Sequence, residues 1–223
     1  MSIRAILFDL DGTLLDTLAD LADSMNQALA ALGFPTHPRD FYHTAVGDGI
    51  EVFAERVLPE ANRTPATIAK LVSEMQKSYA LGWRNQTKPY SGIPTLLAEL
   101  DRRSIRKAVL SNKPDNKTKE CVQHFFGSNT FNIIMGATKA FPLKPDPTAA
   151  LHIVKMLGIP KQNCLYMGDT NTDMQTAVGA GIRAVGVTWG FRPREELVAN
   201  GADVTIDKPC DLLAYLDTAT NAA

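Results

Sequence analysis

Short apolar runs recur along the chain and alternate with longer segments of helical periodicity, such as residues 95–103 and 147–157. The runs lack the alternation of apolar and polar residues that a half-exposed strand shows. They are therefore typical of parallel strands that are buried on both faces. Regular alternation of strand and helix predicts an α/β fold with right-handed crossovers. The runs lie at residues 3–8, 107–110, 131–135, 164–167, 184–187 and 204–206.

One long segment, residues 16–84, contains no strand pattern. It has helical patterns at 18–32, 50–58 and 68–81, and Gly33 ends the first of them. An all-helical block of about 70 residues is more than a crossover between two strands needs. We therefore expect a Rossmann-like α/β core formed by residues 1–15 and 85–223. A smaller helical domain is inserted at 16–84, and the chain returns to the core near Lys88.

Composition narrows the possible functions. The chain has 223 residues, a net charge of −1 and no block rich in lysine or arginine, which argues against nucleic-acid binding. It has neither a signal-peptide pattern at its start nor an apolar run long enough to span a membrane. Cys121, Cys164 and Cys210 lie far apart, which indicates reduced thiols. We expect a cytoplasmic protein without nucleic-acid or membrane partners, and no pattern specifies an oligomeric state.

Polar residues directly follow three of the apolar runs. In an open parallel sheet, ligands bind outside the carboxyl ends of the strands, so residues from separate strands meet at one edge. We therefore expect these polar residues to share one site. They are, in chain order, Asp9 and Asp11, Ser111 and Asn112, and Asp169 and Asp173.

Four carboxylates in one crevice repel each other unless a cation lies among them. Oxygen ligands suit Mg²⁺, which binds carboxylates together with water and phosphate oxygens. Hydroxyl, amide and ammonium donors complete a site suited to phosphoryl transfer. One carboxylate could then be the nucleophile and another the general acid and base. The donors are Thr13, Ser111, Asn112 and Lys144.

Each element also has a simpler interpretation when it is taken alone. Asp-x-Asp-Gly often forms a turn or part of a calcium loop, although such a loop needs a glutamate where Leu18 stands. Ser111 and Asn112 alone favour a turn, and Lys144 alone favours a solvated loop. The segment 168–173 alone could be a capped helix start. The functional interpretation depends on the whole set, in order, at strand ends and helix starts.

The set resembles the four motifs of the phosphatases in the haloacid dehalogenase superfamily. They are "DLDGT" at 9–13, "SN" at 111–112, "KP" at 144–145 and "GDTNTD" at 168–173. The resemblance covers essentially the whole chain and implies that the 16–84 insertion is a cap over the active site. It implies that Asp9 is the nucleophile and Asp11 the general acid and base.

The same resemblance assigns the ligands. Ser111 and Lys144 would anchor the phosphate, and the donors Thr13 and Asn112 complete the expected phosphate-binding set. Mg²⁺ would be held by Asp9, the Asp11 main-chain carbonyl and Asp169, with Asp173 in support.

Three longer stretches are similar to phosphoglycolate phosphatases: "SNKP" at 111–114, "KPDP" at 144–147 and "GVTWGF" at 186–191. The resemblance thus implies Mg²⁺-dependent hydrolysis of a small phosphate monoester, with phosphoglycolate as the best candidate, through an aspartyl phosphate. A β-phosphoglucomutase-like sugar-phosphate mutase, a pyrophosphatase and a broad-specificity phosphatase stay open. Family dehalogenases lack the second aspartate, so Asp11 argues against that activity. A non-catalytic scaffold has no support, because every catalytic position is filled.

Residues that could select the substrate lie mostly in the insertion. Gly47 and Gly49 precede a predicted helix, whose free amides could hold a carboxylate, although a plain glycine turn explains them as well. Cationic or aromatic candidates for the same carboxylate are Arg56, Trp83, Arg84 and Lys113. We expect packing or surface roles for His37, His43, His124 and His152.

Overall fold

The computed structural model describes residues 2–221. Its strands alternate with helices along most of the chain, as the sequence pattern predicts. The strands are β1 (Ala5–Phe8), β2 (Leu15–Asp16), β3 (Lys88–Pro89), β4 (Arg106–Pro114), β5 (Ile133–Ala137), β6 (Cys164–Gly168), β7 (Arg183–Val187) and β8 (Val204–Ile206).

The helices fall into two groups, one between β2 and β3 and one between the later strands. The first group is α1 (Leu18–Ala31), α2 (Tyr42–Ala45), α3 (Ile50–Val57) and α4 (Pro65–Gly82). The second is α5 (Ile93–Arg102), α6 (Asp115–Phe126), α7 (Thr148–Leu157), α8 (Asn171–Ala180), α9 (Arg194–Ala199) and α10 (Asp211–Asn221). Short 3₁₀ turns lie at Arg39–Phe41, Glu60–Asn62 and Lys161–Asn163. None of the helices described is long and apolar enough to cross a membrane.

The main sheet confirms the predicted fold class. Its six strands are all parallel and lie in the order β5-β4-β1-β6-β7-β8. The central strands are buried on both faces, which explains their unbroken apolar sequences. Alternate residues of β1 enter different apolar clusters: Ile6 and Phe8 belong to one, and Ala5 and Leu7 belong to the other.

The register of the central strands brings their carboxyl ends together. Phe8 of β1 lies opposite Val109 of β4 and opposite Met167 of β6. The residues that follow these three positions therefore reach the same edge of the sheet. This register explains why aspartates from two separate motifs and the Ser-Asn pair meet.

The segment between β2 and β3 is all helical, and we call it the helical insertion (residues 17–87). Pro65 occupies the first turn of α4, where its missing N–H costs nothing, and the Thr64 hydroxyl accepts a hydrogen bond from the Thr67 N–H at 3.2 Å. These two residues explain why α4 begins three residues before the predicted segment 68–81.

The insertion leaves and rejoins the core through a small antiparallel ribbon. In this ribbon Leu15 pairs with Pro89 and Asp16 pairs with Lys88. Strands of two residues carry no periodicity, so the sequence pattern did not indicate them. The predicted domain boundaries at residues 16 and 84 lie next to this ribbon.

Candidate active site

A cavity of about 260 Å³ lies at the carboxyl edge of the main sheet. The strand ends supply its polar wall, and the helical insertion supplies much of its apolar wall. The polar wall includes Asp9, Asp11, Ser111, Asn112 and Lys113, and the apolar wall includes Val46, Ile50, Phe53 and Met75. The sheet edge and the insertion thus enclose the predicted site from two sides.

Asp9 lies at the end of β1, where its N–H donates to the Met167 carbonyl of β6 at 2.9 Å. Its Oδ1 accepts a hydrogen bond from the Lys144 ammonium at 2.8 Å. The same ammonium lies 2.6 Å from Oδ1 of Asp173. Both Lys144 and Asp173 are buried, so one positive charge is shared by two carboxylates away from bulk water.

Asp169 follows β6 and is completely buried. Its Oδ1 accepts from the Thr13 hydroxyl at 2.8 Å, and its Oδ2 accepts from the Phe191 N–H at 2.8 Å. A side chain at Gly12, which has a φ of +90°, or at Gly190 would collide with this carboxylate. The two glycines are therefore required by the close approach of Asp169 to the backbone.

Asp9, Asp169 and Asp173 form an acidic group, with one oxygen from each within 4.8 Å of the others. Burial raises the pKa of Asp9 to about 7, Lys144 opposes this rise, and Asp173 adds to it. Burial and the charges of Asp9 and Asp173 hold the pKa of Asp169 well above its usual value. Buried carboxylate oxygens with one shared ammonium fit a hard divalent cation such as Mg²⁺, which would relieve their repulsion.

Asp173 forms the start of helix α8. Its Oδ2 accepts hydrogen bonds from the Thr170 N–H at 3.1 Å and the Thr170 hydroxyl at 2.7 Å. Its Oδ1 accepts from Lys144 and, at 3.3 Å, from the Tyr166 hydroxyl. Asp173 therefore joins the helix start to Lys144, which places that ammonium against Asp9.

Asp11 has a different partner from Asp9. The Lys113 ammonium donates to both carboxylate oxygens of Asp11, at 2.9 and 3.1 Å, and lies 4.7 Å from the ring centroid of Tyr79 in α4. Burial lowers the pKa of Lys113, but Asp11, Tyr79 and Cys121 together outweigh this effect, and the pKa lies well above its usual value. The second aspartate is thus linked to the helical insertion through one lysine.

The predicted phosphate ligands divide into two kinds. Ser111 lines the cavity, and its Oγ accepts the Lys113 N–H at 3.2 Å. The Asn112 amide instead bonds both backbone groups of Lys144, at 2.8 and 3.1 Å, and the Gly47 carbonyl at 3.2 Å. Asn112 therefore orients Lys144, while the Thr13 hydroxyl supports Asp169.

Some of the residues predicted to select the substrate line the cavity, and others do not. Gly47, Gly49 and Lys113 line the cavity, and Gly49 precedes α3 as expected. Arg56 is not part of the cavity wall, because its guanidinium pairs with Asp48 at 2.5 Å and donates to the Ala45 carbonyl at 3.2 Å.

Trp83 and Arg84 lie at the far end of α4, away from the cavity wall. There Trp83 packs against Phe125, and Arg84 lies over the Trp83 ring. Among the contributors that were missed at the sequence level are Tyr79 and Phe191. The only signal for them is an aromatic residue on an apolar helix face and another at the end of "GVTWGF".

Comparisons with known proteins show the family of this chain. The family model of the haloacid dehalogenase-like hydrolases matches residues 6–187. The chain therefore belongs to this family, as its motifs predicted.

Its curated relatives extend the agreement to activity. The chain is 31% identical to a phosphoglycolate phosphatase of Aquifex aeolicus (strain VF5), over 96% of this chain and 97% of the relative. It is also 31% identical to a phosphoglycolate phosphatase of Pseudomonas putida (strain KT2440), over 96% and 78%. A solved structure from Lactobacillus delbrueckii subsp. bulgaricus superposes with a TM-score of 0.92 at 29% identity, covering 97% and 99%. The chain is a phosphoric monoester hydrolase similar to phosphoglycolate phosphatases.

Proposed function

We propose that the protein hydrolyses phosphoglycolate, or a closely similar small phosphate monoester, through an aspartyl phosphate on Asp9 and with Mg²⁺ as cofactor. The observation that supports this most is the buried group of Asp9, Asp169 and Asp173 around the Lys144 ammonium. A phosphoryl group needs such a combination of nucleophile and positive charge.

Asp9 is the proposed nucleophile. Its carboxylate oxygen attacks phosphorus, the bond between phosphorus and the ester oxygen breaks, and an alcohol leaves. Lys144 holds Oδ1 of Asp9 and orients the attacking group. Lys144 and the Ser111 hydroxyl are the proposed ligands of the phosphoryl oxygens.

Asp11 is the proposed general acid and base. It gives a proton to the leaving ester oxygen and then takes one from the water that attacks the aspartyl phosphate. This second attack breaks the bond between Asp9 and phosphorus and releases inorganic phosphate. Lys113, which contacts both oxygens of Asp11, keeps the carboxylate in place between the two half-reactions.

Mg²⁺ would be held by the carboxylates of Asp9 and Asp169 and by the Asp11 main-chain carbonyl. When bound, it would neutralise charge on the phosphoryl group and reduce repulsion toward the carboxylate nucleophile. Asp173 supports this site indirectly, because it positions Lys144.

The carboxylate of the substrate has one cationic candidate on the cavity wall close to the acid. Lys113 contacts Asp11, so an ester with a short carboxylated leaving group would place its carboxylate near this ammonium. Gly47 and Gly49 also form part of the cavity wall. The relatives named phosphoglycolate phosphatase support the same substrate.

The location that we propose is the cytoplasm. It is supported by the buried thiols of Cys121 and Cys164, which form no disulfide bond.

The experiment that tests this function is phosphate release from purified protein with a panel of esters. We expect a far higher kcat/KM for phosphoglycolate than for hexose phosphates, and loss of activity after Mg²⁺ is removed with a chelator. A flat profile across many esters would reject phosphoglycolate as the preferred substrate and leave a general phosphatase. Interconversion of hexose phosphates with little free phosphate would reject hydrolysis itself.

A further inference from the structure

Arg192 lies in the loop between β7 and α9, yet its guanidinium reaches the helical insertion. It is 7% exposed and donates to three main-chain carbonyls, those of His43, Thr44 (3.2 Å) and Val46 (2.8 Å). Its Nε lies 3.3 Å from the Glu196 carboxylate. Apart from its contact with Glu196, this buried guanidinium therefore forms its hydrogen bonds with main-chain carbonyls of another part of the chain.

The three carbonyls lie at the end of α2, where a helix leaves its last carbonyls without helical partners. They belong to a stretch that we call the docking segment (residues 43–48). The core contacts this segment elsewhere too, since the Asn112 amide donates to the Gly47 carbonyl and the Thr172 hydroxyl donates to Asp48. Arg192 supplies more of these bonds than any other described core residue.

Both ends of this contact reach the cavity. Val46 and Gly47 of the docking segment form part of its wall. On the core side, Phe191 also lines the cavity, and its N–H holds Oδ2 of Asp169. Arg192 therefore joins the wall of the cavity to the loop that holds a carboxylate of the acidic group.

We propose that Arg192 is a positioning residue that fixes the docking segment against the core and thereby restricts the cavity to small leaving groups. This inference rests on the proposed function, since the cavity is the proposed phosphatase site. The planar guanidinium fork places its donors at separate positions along the segment, a spread that the compact ammonium of lysine lacks.

A substitution that removes the guanidinium leaves three carbonyls without this donor, so the docking segment can move. A small ester depends on a closely fitting wall for its orientation, so its kcat/KM should fall. A bulky ester with a good leaving group depends less on that wall.

The matched pair for the test is Arg192→Gln and Arg194→Gln. Arg194 lies two positions further along, is about half exposed, and contacts Thr205 and Asp207 rather than the insertion. Arg192→Lys keeps the charge and serves as the milder variant.

The first measurement is amide hydrogen exchange without substrate or Mg²⁺. Peptides that cover residues 42–58 should exchange at least about tenfold faster in Arg192→Gln and be unchanged in Arg194→Gln, because bonds to a charged donor are worth about one to two orders of magnitude in an opening equilibrium. Peptides of β1 and β6 report whether the variant is folded. Exchange equal to that of Arg194→Gln would overturn the docking role.

The second measurement compares phosphoglycolate with p-nitrophenyl phosphate. In Arg192→Gln, kcat/KM for phosphoglycolate should fall by about tenfold or more, mainly through KM, and that for the aryl ester by less than about threefold. Arg192→Lys should lie between. Equal losses for both esters would overturn the role in leaving-group size. If the wild type hydrolyses neither ester, the proposed function fails, while the exchange measurement still decides the docking role.

Discussion

Asp9 and Asp11 stand two residues apart but have separate partners. Lys144 contacts Asp9, and Lys113 contacts Asp11. The two lysines come from different parts of the chain, so each carboxylate has its own positively charged partner. This separation suits a pair in which one residue attacks and the other transfers a proton.

The Asp9→Asn variant tests the nucleophile. The amide keeps the shape of the side chain but removes the attacking charge and weakens the acidic group. We expect kcat to fall by about four orders of magnitude or more, as the loss of a nucleophile typically causes. Phosphate release with circular dichroism as a folding control measures this. Substantial turnover by the folded variant would exclude covalent catalysis through Asp9.

The Asp11→Asn variant separates proton transfer from nucleophilic attack. It should lose roughly 10² to 10⁴ in kcat/KM for alkyl esters, which need a protonated leaving group. The loss should be much smaller for p-nitrophenyl phosphate, whose leaving group needs little protonation. The measurement is kcat/KM for both esters in parallel, and equal losses would argue against Asp11 as the acid.

At this scale the sequence indicated which residues approach each other but not how they pair. The convergence of Asp9, Ser111 and Asp169 on one edge follows from a parallel sheet. The pairing of Lys113 with Asp11 spans 102 positions and depends on side-chain rotamers, which no periodicity encodes. The hydrogen bonds from Arg192 to the docking segment also depend on a side-chain rotamer, so the sequence pattern did not indicate them.

At the scale of elements, each of the predicted apolar runs forms a strand of the main sheet. Strand β4 extends past its predicted end at 110 through Ser111, Asn112 and Lys113, which are polar but buried. Because these residues are polar, the apolar sequence pattern ends at Leu110, although the strand continues to Pro114. The ribbon of β2 and β3 was not predicted because it is too short to have a pattern.

Asp20 of α1 secures the return of the insertion to the core. This buried carboxylate accepts from the N–H of Gln86 at 3.0 Å and from the N–H and hydroxyl of Thr87 at 2.8 and 2.7 Å. Asp20→Ala should therefore lower the free energy of unfolding by about 2–3 kcal/mol, because it leaves these donors unpaired.

The matched control for this prediction is Asp23→Ala on the same helix. Asp23 is about half exposed, lies 3.6 Å from Arg39 and accepts a hydrogen bond from the exposed side-chain amide of Gln86 at 2.8 Å, so its loss should cost less than about 1 kcal/mol. Urea denaturation of both variants gives the comparison. A similar loss for the two would mean that Asp20 does not secure the junction.

At the scale of the whole molecule, the acidic group couples folding to pH and metal. Burial raises the pKa of Asp9 to about 7, so the metal-free folded protein retains a proton that an unfolded aspartate loses above its usual pKa. Between these two pKa values the folded state binds more protons. The free energy of unfolding without metal therefore falls as pH rises toward 7.

If Asp9 binds Mg²⁺ as proposed, the same proton would compete with the metal for the Asp9 oxygens. The rise in Tm produced by saturating Mg²⁺ should thus be small near about pH 5.5 and grow as pH increases through about 7. Calorimetry with and without Mg²⁺ across this range measures it, and Asp9→Asn should reduce the pH dependence. A Tm increase independent of pH would contradict coupling through this carboxylate.

The antiparallel ribbon has a consequence for how such a molecule can change. Because Leu15 lies beside Pro89, the chain leaves the core and returns to it at two adjacent points of the backbone. Any module whose ends are equally close could be grafted there without altering the order of the strands or the position of Asp9. Substrate range and bond-breaking chemistry can therefore diverge separately, one by exchange of the module and the other by substitution at the strand ends.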